Sequence, residues 1–185
     1  MPRPSLVLIP GTLNDADLWR DQIAPLSLVA DVTVADITQG ETLEALARQV
    51  LAEHSGDFIL AGFSLGGIVA QEICRLAPAR VLGLGLLDTT LLPARPETEA
   101  RRLAMVKSVQ NGSRFIGMGD RLLASYLAPQ NISKGDIATR IQAMTARLGA
   151  EVFIRQSLLE RPDTRRILAS LTCPVLILCG EEDRI

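Results

Sequence analysis

A serine near the middle of the chain has the neighbours that a catalytic nucleophile needs. Ser64 lies in Gly62-Phe63-Ser64-Leu65-Gly66, which follows an apolar run and precedes a helical pattern. A strand that turns at once into a helix holds the residue at the turn in a strained conformation and lifts its side chain clear of the sheet. The first N–H groups of the new helix then point back at the serine. An oxyanion formed there would be stabilised, so the spacing predicts acyl transfer.

The segments around Ser64 have the pattern of a parallel α/β sheet. Apolar runs are typical of strands buried on both faces, and an alternating run predicts one further strand. Helical patterns separate these runs, which predicts an α/β fold with a doubly wound, mostly parallel sheet. The predicted strands lie at residues 6–9, 31–36, 58–61, 81–87 and 174–179.

Several polar residues follow the ends of these predicted strands. Ligands of doubly wound sheets bind beyond the carboxyl ends of the strands. The loop Pro10-Gly11-Thr12-Leu13, together with Ser64, Asp88 and Asp183, falls at this edge. Their convergence at one end of the fold favours an active site more strongly than any one of them alone.

The alternation of strands and helices is interrupted once. Residues 93–166 have helical spacing and no convincing strand pattern. We therefore predict a helical cap over residues 93–166, inserted between two strands of a core formed by residues 1–92 and 167–185.

Composition narrows the function classes. The 185 residues are 48% apolar with a formal net charge of −2, and they contain no basic block that would indicate nucleic acid. No uncharged apolar run approaches the length of a membrane span. The three cysteines are odd in number and lack a C-x-x-C pair, so we expect buried, unpaired thiols in a cytoplasmic protein.

The motifs together resemble the α/β-hydrolase superfamily, and the resemblance covers nearly the whole chain. It is carried by Leu6-Val7-Leu8-Ile9-Pro10-Gly11, by Gly62-Phe63-Ser64-Leu65-Gly66-Gly67, and by the stretch from Arg161 to Asp183. The last stretch is similar to the strand that delivers the catalytic acid in small capped esterases of this superfamily. The resemblance implies a hydrolase core with a cap that shapes the substrate pocket.

Roles follow from this resemblance for individual residues. Ser64 resembles the nucleophile, and the backbone N–H of Leu65 resembles one donor of the oxyanion hole. The second donor comes from the loop after the first strand, which we place at Thr12, with Leu13 next in line. The family usually has His-Gly at the position of Pro10-Gly11, and this departure leaves the backbone role intact.

The acid that orients the catalytic histidine is assigned in the same way. Asp183 resembles that acid, while Asp88 ends the strand after Ser64, where some superfamily members place it. Asp183 has the better local match and is favoured, with Asp88 kept as the alternative. The sequence shows no metal-ligand cluster and no phosphate-binding loop, so we expect neither a metal nor a cofactor.

The histidine departs from the family pattern. The family order is Ser, Asp, His, but the one histidine here is His54, which precedes the strand that leads to Ser64. That strand separates His54 from Ser64 by roughly 15–20 Å, far beyond hydrogen-bond reach. We therefore expect a strand, helices and the histidine loop to follow Ile185, and an exposed sheet edge beside the strand at residues 175–179.

These observations predict a serine hydrolase that cleaves an ester, thioester or lactone of a small carboxylic acid through an acyl-enzyme on Ser64. Its partner would be a small-molecule substrate, without nucleic acid or membrane, and the sequence does not indicate an oligomeric state. Two alternatives stay open. One is a non-catalytic protein that binds a small ligand on a hydrolase scaffold. The other is a related chemistry, such as C–C hydrolysis, acyl transfer or perhydrolysis.

Overall fold

Five parallel strands form one sheet at the centre of the molecule. The computed structural model describes residues 2–132 and 135–183. Across the sheet the order is β2-β1-β3-β4-β5, and each neighbouring pair runs parallel. The doubly wound α/β sheet expected from the sequence is confirmed. The strands are β1 Ser5–Ile9, β2 Asp31–Val34, β3 Phe58–Phe63, β4 Val81–Leu87 and β5 Val175–Leu178.

Helices connect the strands, and their ends follow local sequence signals. Thr42 caps α2, since its hydroxyl accepts a hydrogen bond from the N–H of Ala45 at 3.0 Å. Short 3-10 turns at Ala16–Trp19 and Pro78–Arg80 precede α1 and β4. The helices are α1 Arg20–Leu26, α2 Leu43–Glu53, α3 Leu65–Leu76, α4 Pro96–Gln110, α5 Asp120–Tyr126, α6 Pro129–Ile132, α7 Gly135–Leu158 and α8 Arg165–Ala169.

The central strands β1, β3 and β4 are largely buried on both faces, which explains why they are almost wholly apolar. In β1, Val7 and Ile9 pack in the cluster that contains residues of α2 and α3. The alternate residues Leu6 and Leu8 pack with Trp19 on the opposite face. Successive side chains of a strand therefore enter two separate cores.

Helices α4 to α7 lie between β4 and β5 and form the region that we call the helical insertion, residues 93–166. Gly149 has a φ of 77° and breaks α7 into two helical halves, as its position in the sequence predicts. Within that region the spacing at residues 115–127 predicts one helix, and this prediction is wrong at its start, because α5 begins only at Asp120. Gly117 has a φ of 72°, and the N–H of Met118 bonds the hydroxyl of Thr145 at 2.8 Å, which ties this segment to α7 instead.

The edge of the sheet at β5 is open to solvent. Its side chains are 40% to 68% exposed, and no described strand pairs with its outer side. The exposed edge expected beside this strand is confirmed. The described helices include none with the length and apolarity needed to cross a membrane.

Candidate active site

Ser64 lies at the junction of β3 and α3, at the carboxyl edge of the sheet. Its backbone has a φ of 51° and a ψ of −115°, a conformation that non-glycine residues rarely adopt. Two contacts with β4 and the residues after it help to hold this conformation. Its N–H donates to the carbonyl of Leu87 at 2.9 Å, and its carbonyl accepts from the hydroxyl of Thr89 at 2.7 Å. The serine is thus held in the strained turn expected of a nucleophile.

Glycines allow this turn to close. A Cβ on Gly62 would lie 2.4 Å from the carbonyl oxygen of Gly66, so a side chain at position 62 would collide with backbone. A Cβ on Gly66 would lie 2.2 Å from the carbonyl oxygen of Ile9. The second contact shows that the end of β1 lies directly against the first turn of α3. We call the segment that follows, residues 10–14, the β1 loop.

The two predicted oxyanion donors lie on the two segments that this contact brings together. Leu65 is the first residue of α3, so its N–H has no partner within the helix. Thr12 lies in the β1 loop, and no described residue accepts a hydrogen bond from its N–H. The N–H of Leu13, the second candidate in the loop, donates instead to Oε1 of Gln156 at 2.8 Å. Thr12 is therefore the better placed donor.

The two candidate acids lie side by side at the ends of β4 and β5. The carboxylate oxygens of Asp88 and Asp183 and the sulfur of Cys179 all lie within 4.8 Å of one another. Asp88 also bonds the segment after β5: its N–H donates to Leu178 O at 2.9 Å, and its Oδ1 accepts from the N–H of Gly180 at 2.8 Å. Asp88 thereby braces the turn that carries Asp183.

The three side chains Asp88, Cys179 and Asp183 also have metal-ligand chemistry, which their distant sequence positions did not reveal. Desolvation and the charges of Asp183 and Asp88 raise the pKa of the Cys179 thiol. The carboxylate of Asp88 already accepts a hydrogen bond from the N–H of Gly180, so we interpret the group as a brace for the turn that carries Asp183.

The cysteines differ in their surroundings. Cys74 is buried, and burial raises the pKa of its thiol to about 12, which leaves it unreactive. Cys179 is exposed, so the expectation that the cysteines are buried is wrong for this residue. All three are free thiols in the structure.

His54 lies at the other end of the sheet. It follows α2 directly, and its ring contacts Phe58, the first residue of β3, with ring centroids 6.5 Å apart. Its carbonyl accepts a hydrogen bond from Arg80. Strand β3 runs from Phe58 to Phe63 and separates this position from Ser64 by about 20 Å.

Two clefts open near the carboxyl edge of the sheet. The smaller has a volume of about 170 Å³ and a mostly apolar lining, to which Thr89 contributes beside the serine. The larger has a volume of about 270 Å³ and lies between the β1 loop, the end of β2 and α7. The smaller cleft is lined by Leu86, Thr89, Leu91, Ile177, Leu178 and Cys179.

Gln156 and Thr89 touch this site and were not predicted from the sequence. Gln156 carried a usable signal. It lies on the apolar side of α7 with Val152 and Phe153, one turn before the buried Leu159, and it is completely buried. A glutamine inside an apolar stripe must bond other buried polar groups. Thr89 carries no comparable signal, because a threonine after a strand is common.

Comparison with known proteins agrees with this architecture. The model of the alpha/beta hydrolase family matches residues 6–185. A pimeloyl-[acyl-carrier protein] methyl ester esterase of Aromatoleum aromaticum is 27% identical over 208 residues, covering 100% of this chain and 82% of that protein. One from Citrobacter koseri is 27% identical over 192 residues, covering 96% of this chain and 75% of that protein.

Solved structures give the same result. A thermophilic esterase from Thermogutta terrifontis superposes with a TM-score of 0.77 at 25% identity, over 97% of this chain and 72% of that one. A hydrolase from Pseudomonas aeruginosa has a TM-score of 0.80 at 23% identity, over 96% and 72%, and shows the fold alone. The resemblance inferred from the motifs is confirmed: the chain belongs to the alpha/beta hydrolase family and is a carboxylic-ester-hydrolase-like enzyme.

Proposed function

We propose that the chain cleaves an ester, thioester or lactone of a small carboxylic acid through an acyl-enzyme on Ser64. The strained backbone of Ser64, at the N-terminus of α3 and beside the β1 loop, is the observation that carries this proposal. Among these substrates an alkyl ester is favoured, because the relatives described above are named as methyl ester esterases.

The proposed reaction proceeds in two steps. The Ser64 hydroxyl attacks the carbonyl carbon and loses its proton to a base, and the carbonyl oxygen becomes an oxyanion. The N–H groups of Leu65 and Thr12 stabilise this oxyanion, and its collapse expels the alcohol and leaves the acyl group on Ser64. Water then attacks the acyl-enzyme in the same way and releases the acid. Asp183 orients the base, and the apolar cleft beside Thr89 accommodates the acyl chain.

Among the described residues, no histidine lies near enough to Ser64 to accept its proton as the base. His54 is too far from Ser64 for proton transfer in this structure. Imidazole added to the buffer can act as the base in its place. Assays made with and without imidazole therefore separate the contribution of Ser64 and its oxyanion donors from that of the base.

The test is hydrolysis of 4-nitrophenyl butyrate by the wild type and by Ser64→Ala, each with and without imidazole. We expect a rate that depends on Ser64 and that increases with imidazole concentration beyond the increase seen for Ser64→Ala. Even without a base, an intact oxyanion hole supports about 10³-fold catalysis over water. Equal rates for the two proteins under both conditions would refute the proposal.

The substrate class is tested with the same pair of proteins. Methyl butyrate, a butyryl thioester and a small lactone are compared at equal concentration, and we expect the Ser64-dependent rate to favour the ester. A fluorophosphonate adduct on Ser64, located by peptide mass spectrometry, provides an independent readout. Turnover without an adduct on this peptide would place the chemistry elsewhere.

A further inference from the structure

Gln156 of the helical insertion contacts the β1 loop, and both the oxygen and the nitrogen of its side-chain amide form hydrogen bonds. Its Oε1 accepts from the N–H of Leu13 at 2.8 Å, and its Nε2 donates to the carbonyl of Ile37 at 3.1 Å. One partner is a donor and the other an acceptor, so the two contacts together fix the orientation of the amide. The side chain is completely buried, so no water competes for these bonds.

The backbone that Gln156 holds is strained. Leu13 has a φ of 54°, in the left-handed region that a branched residue seldom occupies. This conformation costs about 1–2 kcal/mol, so it persists only when its surroundings favour it. The hydrogen bond from Gln156 is one such support, and the N–H of Asn14 bonded to the carbonyl of Gly11 at 3.2 Å is another.

The side chain of Leu13 is held by the same region. It is buried in a cluster with Val106 of α4 and with Val152 and Phe153 of α7. The helical insertion therefore contacts Leu13 in two ways: Gln156 bonds its N–H, and apolar residues of α4 and α7 pack against its side chain. The N–H of Thr12 belongs to the preceding peptide, between Gly11 and Thr12. Because Gln156 holds the peptide between Thr12 and Leu13, it restricts the conformation of Thr12 and with it the direction of that N–H.

From these contacts we propose that Gln156 is a positioning residue for the oxyanion hole. It holds the β1 loop in the conformation that directs the N–H of Thr12 to the developing oxyanion. Stabilisation of the transition state therefore depends on how the helical insertion packs against the core. The proposal rests on the proposed function, because it requires Ser64 to form an oxyanion. Gln156 itself touches no reacting atom.

A buried glutamine that only stabilises the fold should affect stability without a selective effect on the oxyanion. The chain contains a second completely buried glutamine, Gln71 of α3, whose amide donates to the carbonyl of Thr90 at 3.2 Å and accepts from the hydroxyl of Thr164. Gln71 has no hydrogen bond to the β1 loop. Gln71→Met is therefore the matched control for Gln156→Met, since each change removes a buried amide and keeps the length of the side chain.

The experiment measures kcat and KM for 4-nitrophenyl butyrate and the affinity for an alkyl trifluoromethyl ketone, which forms a hemiketal oxyanion on an active-site serine. We expect Gln156→Met to lower both kcat and the ketone affinity by about 10-fold to 100-fold, somewhat less than the loss of an oxyanion donor. KM should change less than about 2-fold, because the planar ester does not need the oxyanion donors. Gln71→Met should lower the melting temperature to a similar extent without this selective loss.

Gln156→Glu keeps the test valid if the methionine variant does not fold. Burial favours the neutral carboxyl, which can accept from Leu13 and donate to the carbonyl of Ile37, so the ketone affinity should stay within about 3-fold of the wild type at pH 6. Equal losses of ketone and substrate affinity in Gln156→Met would overturn the proposal, as would a loss of stability alone. Either result would refute the role of Gln156 alone. The proposed function would fail in a different way, because Ser64→Ala would then leave the rate unchanged.

Discussion

Ser64 combines a strained backbone with contacts that hold it in place. Its φ of 51° and ψ of −115° cost about 1–3 kcal/mol, which the surrounding fold must offset. The bonds to Leu87 and Thr89 come from β4 and the residues after it, so the neighbouring strand helps to hold Ser64 in this conformation.

At the same scale, the two candidate acids take different parts in the structure. Asp183 lies at the end of a turn closed by its own N–H, which bonds the carbonyl of Gly180 at 3.1 Å. Asp88 accepts the N–H of Gly180 from the other side. The geometry makes Asp183 the candidate for orienting a base and Asp88 the residue that steadies its turn.

This division predicts different effects of two matched substitutions. Asp183→Asn should lower imidazole-supported, Ser64-dependent hydrolysis by at least about 10-fold, because the charge that orients the base is lost. Asp88→Asn keeps an oxygen acceptor for the N–H of Gly180 and should stay within about 3-fold of the wild type. Initial rates with 4-nitrophenyl butyrate provide the measurement. If Asp88→Asn lost more activity than Asp183→Asn, Asp88 would be the acid.

At the scale of the elements, the site depends on how closely β1 and α3 pack. The first turn of α3 touches the carbonyl oxygens of Ile9 and Pro10 through the backbone of Gly66. This contact places the N-terminus of a helix against the loop after a strand, and these two segments carry the predicted oxyanion donors. A side chain at position 66 would separate these elements.

The corresponding prediction compares two buried glycines. In Gly66→Ala the new Cβ would lie 2.2 Å from Ile9 O, so the backbone must shift, and we expect a loss of about 3 kcal/mol in the free energy of unfolding and of most Ser64-dependent activity. Gly83→Ala in β4 is the control, because its nearest neighbour would lie at 3.6 Å, an ordinary contact. Urea unfolding of both variants gives the comparison. Similar stabilities would show that the contact at Gly66 is not limiting.

At the scale of the whole molecule, the two sides of the sheet end differently. Strand β2 is a short edge strand, whereas β5 exposes four consecutive apolar side chains, with Ile177 68% exposed. An apolar edge strand with unpaired backbone groups favours pairing with other chains. The smaller cleft, beside Thr89, shares Ile177 and Leu178 with this edge, so association there would also affect the candidate site.

We therefore predict that the 185-residue chain self-associates with increasing concentration and that Ile177→Lys reduces this association, because a charge on an edge strand opposes pairing. Leu28→Lys is the control, since Leu28 is 76% exposed but lies outside the sheet. Static light scattering over a dilution series measures the effect. An unchanged molar mass for both variants, equal to that of the wild type, would contradict the prediction.

Much of the fold could be predicted because its signals are local. The strands that are buried on both faces are apolar throughout, as at residues 81–87, and Thr42 and Gly149 mark helix ends through their own chemistry. The prediction failed at residues 115–119, where Gly117 has a φ of 72° and the N–H of Met118 bonds Thr145 in α7. A sequence pattern does not contain that partner.

The sequence by itself determined the α/β sheet and the position of Ser64, since a strand, a tight glycine turn and a helix are written in adjacent residues. Only the tertiary structure decided that Leu13, and not Thr12, donates its N–H to a described residue, and how the two candidate acids are arranged. Gln156 meets Leu13 across 143 residues, and Gly180 meets Asp88 across 92. Such contacts depend on how distant elements pack, and local propensity contains no information about that packing.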